Sequence, residues 1–98
     1  MSYAEQILEI TDQIKAEAEK LRALENGRQG WTKPKGETFY IGKQNYWVVR
    51  ENGTVMPGLE AIQREAIKLY DDKIFEANSR IEGLRFKLVK LAKEGGAA

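Results

Sequence analysis

A heptad register runs through the C-terminal third of this chain. Isoleucine or leucine recurs there every seven residues, and a second set of mostly apolar residues falls between them. Spacing of this kind predicts a long helix whose apolar seam must lie against another helix. The two sets are Ile67, Ile74, Ile81 and Leu88, and Tyr70, Ala77, Leu84 and Leu91.

A second helix is predicted at the N-terminus. Ser2 and Glu5 have capping-box spacing, so a helix should begin at Tyr3. Apolar residues then follow with alternating spacings of four and three, interrupted at Glu17. Asn26-Gly27 is a typical helix stop, which gives a helix over 3–25. Its apolar positions are Tyr3, Ile7, Ile10, Ile14, Leu21 and Leu24.

The middle of the chain has the composition of turns and strands. Residues 26–36 contain three glycines and a proline, which predicts a loop. Aromatic and β-branched residues then dominate, with turn signals between them, so residues 37–56 should form a three-stranded antiparallel meander. The predicted strands are Thr38–Ile41, Tyr46–Arg50 and Thr54–Met56. Successive side chains of a strand point to opposite faces of the sheet, so one face is predicted to carry Phe39, Ile41, Trp47 and Val49, and the other Tyr40, Tyr46, Val48 and Arg50.

Together these elements predict an α+β, mainly α fold in one domain of 98 residues, in the order α-β-β-β-α. The second helix should span 58–93, because Pro57-Gly58 breaks the last strand and no proline follows. Residues 94–98 should be a frayed tail. We expect a coiled-coil-like, antiparallel helical hairpin with the small meander at its closed end.

The two predicted helices differ in length, at roughly 35 and 53 Å, so Tyr3 should reach only about Leu84. The last turns of the second helix would then lack a partner, which favours a homo-oligomer, with a two-fold dimer as the commonest form. Higher states, and a monomer whose helix bends at Gly83, are alternatives. Ile62 and Leu69 should receive the sheet. The predicted oligomer interface comprises Leu8, Phe75, Leu84, Phe86, Leu88, Val89 and Leu91.

The residue types argue against catalysis. The chain has no cysteine and no histidine, and its two serines lie at a helix cap and on a helix. Glu5, Glu9 and Asp12 share a face of the first helix but lack the loop of a calcium site. We therefore expect no enzyme, no cofactor and no intrinsic metal. An activity built from carboxylates that meet across an oligomer interface would be the exception.

Charge is distributed unevenly although the net charge is +1. Residues 1–25 hold six acids and three bases, whereas residues 26–57 hold five bases and two acids. Broad nucleic-acid binding normally requires a larger positive charge. The chain has neither a signal-peptide pattern nor a run of eighteen apolar residues, so we expect a cytoplasmic protein without membrane contact.

Trp31 lies in a basic, glycine-containing segment, and two interpretations of it stay open. Tryptophan and arginine dominate protein interfaces, so the segment suits a contact loop. Alternatively, the indole covers a small core. The second helix also ends strongly basic, from Arg80 to Lys93. The predicted partner-binding residues are Arg28, Trp31, Lys33, Lys35, Tyr40, Lys43, Tyr46 and Arg50.

These features predict a small oligomeric protein that acts through protein-protein interaction, as a regulator or inhibitor of a larger macromolecular machine. Its composition is typical of phage and mobile-element inhibitors. A first alternative is nucleic-acid binding through the Trp31 segment and the sheet face. A second follows from layout: helix, β-hairpin, helix is similar to the order in prefoldin-type chaperone subunits, which implies a chaperone or assembly factor. That resemblance is one of architecture, since no sequence motif carries it.

Overall fold

The computed structural model describes residues 2–97, which are mainly helical, with two helices and one small antiparallel sheet. The elements are α1 (Tyr3–Gly30), β1 (Thr38–Ile41), β2 (Gln44–Trp47) and α2 (Glu60–Ala97). The mainly helical class is confirmed, but the predicted three-stranded meander is wrong, because the sheet has two strands.

α1 begins where predicted and ends later. The Ser2 hydroxyl oxygen accepts a hydrogen bond from the Glu5 amide at 3.1 Å, which caps the helix. The helix then continues through Asn26 and Gly27 to Gly30, so the predicted stop is wrong. A Cβ atom at Gly27 would lie 2.7 Å from the Tyr70 ring. The missing side chain therefore allows a close approach to Tyr70 and does not end the helix.

β1 has the predicted bounds, whereas β2 begins two residues earlier than predicted. Ile41 pairs with Gln44, so the connection is the two-residue turn Gly42-Lys43, and Gly42 has a φ of 65°. Glycine tolerates that backbone conformation without steric cost. The third predicted strand is reduced to one isolated bridge, between Val49 and Val55.

The register also corrects the predicted faces of the sheet. Directly paired residues of antiparallel strands share a face, and Phe39 pairs with Tyr46 while Thr38 pairs with Trp47. Phe39 and Tyr46 therefore lie on one face, and Tyr40 and Trp47 on the other. Grouping Phe39 with Trp47 was wrong because the Ile41–Gln44 pair joins odd-numbered residues of β1 to even-numbered residues of β2.

The chain divides into two compact units. Unit 1 contains the described residues up to Arg22 and those from Phe75 onward, and unit 2 is Ala23–Ile74. Unit 2 has a core of buried Val48, Val49 and Leu59. Half-buried side chains pack against this core, namely those of Trp31, Phe39, Val55 and Met56.

Ile62 and Leu69 are not covered by the sheet, contrary to the sequence-based prediction. Their side chains are exposed on α2. The sheet instead packs through Phe39 against Val48, Val49 and Leu59, which lie in the irregular segments that follow β2 and precede α2.

In unit 1, α1 and α2 run antiparallel along the predicted seam. Arg80 contacts Glu17 at 3.0 Å, and the Tyr3 ring lies directly against Gly95. The seam is lined by buried Ala77 and Ile81. Its half-buried members are Ile7, Ile10, Ile14 and Leu21 on α1, and Leu84, Leu88 and Leu91 on α2.

The predicted overhang of α2 is therefore wrong: Tyr3 lies level with Gly95 instead of Leu84. The cause lies in the length of α1, which continues to Gly30 and so shifts its alignment with α2. The predicted tail is also wrong over 94–97, which are helical, and α2 starts at Glu60 instead of residue 58. Ala98 lies outside the described residues.

Candidate functional site

The outward face of the sheet carries two exposed aromatic side chains. Tyr40 is 71% exposed and Trp47 is 43% exposed, and the register places them on the same face. The opposite face holds Phe39, which packs against the core of unit 2. We call the side chains of Tyr40 and Trp47, together with Lys35, the aromatic face.

Lys35 is held against this face by an uncommon backbone conformation. Its φ is 58°, in the left-handed region where side chains other than glycine are disfavoured by about 1–2 kcal/mol. The Lys35 amide donates to the Val49 carbonyl at 3.1 Å. Its ammonium lies 2.8 Å from a Glu51 carboxylate oxygen and 5.5 Å from the centre of the Trp47 ring. Glycine would fit this turn at lower cost, but it would lose both contacts.

A groove of about 510 Å³ adjoins Trp47. Met56 and Pro57 contribute apolar surface to its lining, and Arg50 contributes a cation. The Arg50 side chain is oriented by a hydrogen bond from Nε to the Thr54 hydroxyl at 3.1 Å. Glu51 lines the groove as well and contributes a carboxylate. The groove can therefore receive a flat or extended apolar group that carries a hydrogen-bond acceptor.

The structure brings together part of the predicted partner-binding set. Lys35, Tyr40 and Arg50 lie at or beside the aromatic face and its groove. Lys33 and Lys43 are exposed in the turns that precede and interrupt the sheet. These five side chains remain candidates for contact with a partner.

The other three predicted residues have structural partners. Arg28 is half-buried on α1 and its Nε donates to an Asp71 carboxylate oxygen at 2.6 Å. Trp31 packs against the core of unit 2, and its carbonyl accepts a hydrogen bond from Gln63 at 2.9 Å. Tyr46 is paired with Phe39, and its hydroxyl donates to the Gln44 side-chain oxygen, but Tyr46 also lines the groove beside Trp47. The structure thus agrees with the interpretation of Trp31 as a cover for a small core.

Trp47 is an exposed aromatic residue of this face that the predicted partner-binding set does not include. Alternation alone groups Trp47 with Phe39, which packs against the core, and so separates it from Tyr40. A glycine at the first position of a two-residue turn is a known hairpin signal, and Gly42-Lys43 supplies it. Reading that signal would have paired Ile41 with Gln44 and placed Trp47 beside Tyr40.

Unit 1 carries a separate set of exposed apolar side chains. Leu8 is 62% exposed, Phe75 is 73% exposed and Phe86 is 71% exposed, and Val89 is exposed as well. All four belong to the predicted oligomer interface. The other predicted interface residues, Leu84, Leu88 and Leu91, are instead half-buried in the seam.

Glu17 is the charged residue in the seam of α1, and it is paired. Its carboxylate lies 3.0 Å from Arg80 and 3.6 Å from Lys20. The hydrogen bond from Arg80 holds the pKa of Glu17 below its ordinary value of 4.5, and desolvation opposes part of that shift. The pair therefore serves the packing of α1 on α2.

Residues 2–97 contain no group of three or more acidic side chains placed to hold a metal ion. In the same part of the chain, neither helix combines the length and apolarity needed to cross a membrane. No family model, curated protein or solved structure matches this chain.

Proposed function

We propose that this chain is a non-enzymatic binding protein that acts through protein-protein interaction, with the aromatic face and its groove as the contact surface. A regulator or inhibitor of a larger assembly is the form of activity that we favour. The coiled-coil-like pairing of the two helices, predicted from the heptads, would serve as its scaffold. The observation that carries the proposal is the exposure of Tyr40 and Trp47 on one face, beside a strained lysine.

The composition of this surface supports a protein partner. Tyrosine, tryptophan and arginine are enriched in the residues that dominate protein interfaces, and Tyr40, Trp47 and Arg50 provide all three types. The positive charge of Lys35 is balanced by Glu51 at 2.8 Å. The surface therefore offers more apolar contact than free positive charge.

Nucleic-acid binding is the second candidate, because a cation beside two exposed aromatic rings could stack on bases and contact phosphates. The salt dependence of the binding affinity distinguishes nucleic-acid binding from protein binding. Phosphate contacts weaken steeply as salt is raised, so titration of a labelled single-stranded oligonucleotide at low ionic strength is the sensitive test. Absence of binding there removes this candidate.

The test of the main proposal uses alanine variants of the two aromatic residues. Proteins captured from the native cell by the wild-type chain would be purified, and their affinity measured by calorimetry for wild type, Tyr40→Ala and Trp47→Ala. We expect each substitution to weaken binding by about tenfold or more, because truncating a dominant interface aromatic costs about 2 kcal/mol. The matched control is Leu69→Ala, which removes an exposed apolar side chain from α2.

Unchanged affinity in both aromatic variants would contradict the proposal. Loss of the captured protein after nuclease treatment would also contradict it and would favour the nucleic-acid alternative. Thermal melting of each variant shows whether a weakened affinity reflects the surface or a loss of folded protein.

A further inference from the structure

The outer surface of α1 in unit 1 carries an acidic patch around one exposed leucine. Residues 5–12 include three carboxylates and no base. Glu5, Glu9 and Asp12 line a shallow depression with Leu8, which is 62% exposed. We call these four residues the acidic patch.

The outer surface of α2 in unit 1 carries the opposite charge around two exposed apolar side chains. Residues 85–93 include four bases and no acid. Phe86 and Val89 are 71% and 54% exposed. The basic patch is defined by Arg85, Phe86, Val89, Lys90 and Lys93.

Most of these charges make no ion pair with another described residue. Among the described residues, the ion pairs within 4.0 Å leave out Glu9 and Asp12 on α1. They also leave out Lys90 and Lys93 on α2, while Arg85 pairs with Glu82. Each patch thus presents exposed apolar side chains surrounded by charged side chains of one sign. These charged groups can form ion pairs with oppositely charged groups on another molecule.

We propose that the acidic patch of one copy docks on the basic patch of a second copy, with Leu8 against Phe86 and Val89. The opposite charges favour this pairing over contact of either patch with itself, because like charges across an interface are repulsive. This self-association uses unit 1 and is independent of the function proposed for the aromatic face of unit 2.

The geometry of unit 1 determines the kind of assembly. At about 100° per residue, Leu8 lies far around α1 from the seam positions Ile7, Ile10 and Ile14, and Phe86 lies opposite Ile81 on α2. The two patches therefore point away from the seam in different directions. One partner cannot contact both patches at once, so the contact is head-to-tail, and assembly proceeds beyond a pair to a ring or an open chain.

The patches extend over about two helical turns, so the interface is small and its dissociation constant should be micromolar or weaker. Sedimentation velocity from about 5 to 500 µM tests this expectation. At about 50 mM salt, the weight-average mass should rise continuously above 11.2 kDa, and about 500 mM salt should reverse much of the rise.

Charge reversal provides the sharper test. Glu9→Lys with Asp12→Lys makes both patches basic, and Lys90→Glu with Lys93→Glu adds negative charge to the basic patch. Each double variant should lose self-association alone. A mixture of the two should associate again, because the patches of one variant then face opposite charges on the other. A variant with reduced folding could not produce this rescue.

The matched control reverses two exposed acids that lie outside both patches, Glu25→Lys with Asp72→Lys, and should associate like the wild type. A single 11.2 kDa species at every concentration in low salt would overturn the proposal. A dimer that does not grow with concentration would overturn the head-to-tail contact. Absence of rescue in the mixture would show that these charges do not face each other.

Discussion

Glu17 occupies a position where the spacing of α1 calls for an apolar side chain, and the structure explains why an acid is tolerated there. Arg80 and Lys20 both contact its carboxylate, at 3.0 and 3.6 Å. Because the carboxylate is paired in the folded state, its pKa is lowered from the ordinary value of 4.5. The charged form of Glu17 therefore contributes to folding.

The sign of this shift predicts a pH dependence. Because the pKa of Glu17 is lower in the folded state, its ionised carboxylate stabilises the folded protein at pH values above the unfolded-state pKa of 4.5. This stabilisation is lost as the pH falls through the folded-state pKa. Glu17→Gln should therefore lower the urea midpoint at pH 7, and the difference from wild type should shrink below about pH 4.5. Glu19→Gln, at an exposed neighbour, is the control and should change the pH 7 midpoint little. A constant difference between Glu17→Gln and wild type at all pH values would contradict the role of the charge.

Two glycines within helices provide a second prediction at the residue scale. Alanine in place of a helical glycine normally stabilises by about 0.5–1 kcal/mol. Gly83→Ala should show this gain, because no atom other than the adjoining residues and backbone of α2 lies within 4 Å of the new Cβ. Gly27→Ala should instead destabilise, because the Cβ would lie 2.7 Å from the Tyr70 ring, and overpacking costs about 1–3 kcal/mol.

Urea unfolding of the two glycine variants provides the comparison. Tyr70→Leu in the Gly27→Ala background should recover part of the loss, since the ring that causes the clash is removed. Equal stabilisation by both alanines would show that the Tyr70 ring does not pack closely against Gly27.

At the scale of elements, the core of unit 2 comes from segments between the regular elements. Val48 and Val49 follow β2 directly, and Leu59 precedes α2. Backbone bonds hold these segments in place: the Val48 amide donates to the Glu37 carbonyl at 3.0 Å, and the Met56 amide donates to the Val48 carbonyl at 2.8 Å. Trp31, in the turn that follows α1, packs against this core.

The two tryptophans should respond differently to the same substitution. Trp31 packs against the core, so Trp31→Ala should lower the free energy of unfolding by about 2–4 kcal/mol. Trp47 lies on the outward face, so Trp47→Ala should cost less than about 1 kcal/mol, mainly through its contact with Lys35. Urea unfolding measures both. A small effect of Trp31→Ala would favour the contact-loop interpretation of that segment.

At the scale of the whole molecule, the described residues include five buried hydrophobic side chains, which is a small core for 98 residues. They are Val48, Val49, Leu59, Ala77 and Ile81. A chain that buries so little apolar surface has a small free energy of unfolding from its own core. Association between folded copies would raise its stability, because the unfolded chain does not make the same contact.

This predicts a melting temperature that depends on protein concentration. If copies associate through the acidic and basic patches, the midpoint at about 50 mM salt should rise with concentration, and it should not rise for Lys90→Glu with Lys93→Glu. Calorimetry at several concentrations is the measurement. A midpoint that stays constant for the wild type would indicate that association contributes nothing to stability in this range.

The helical content, the seam positions and the start of α1 could be predicted from sequence, because helix periodicity and capping depend on neighbouring residues. It also identified Lys35, Tyr40 and Arg50 as surface candidates. Tertiary packing sets the role of Gly27 within α1, since the Tyr70 ring that approaches it lies 43 residues away in the chain. It likewise decided the role of Trp31 and the face of Trp47, because strand register and core packing depend on residues that are distant in the chain.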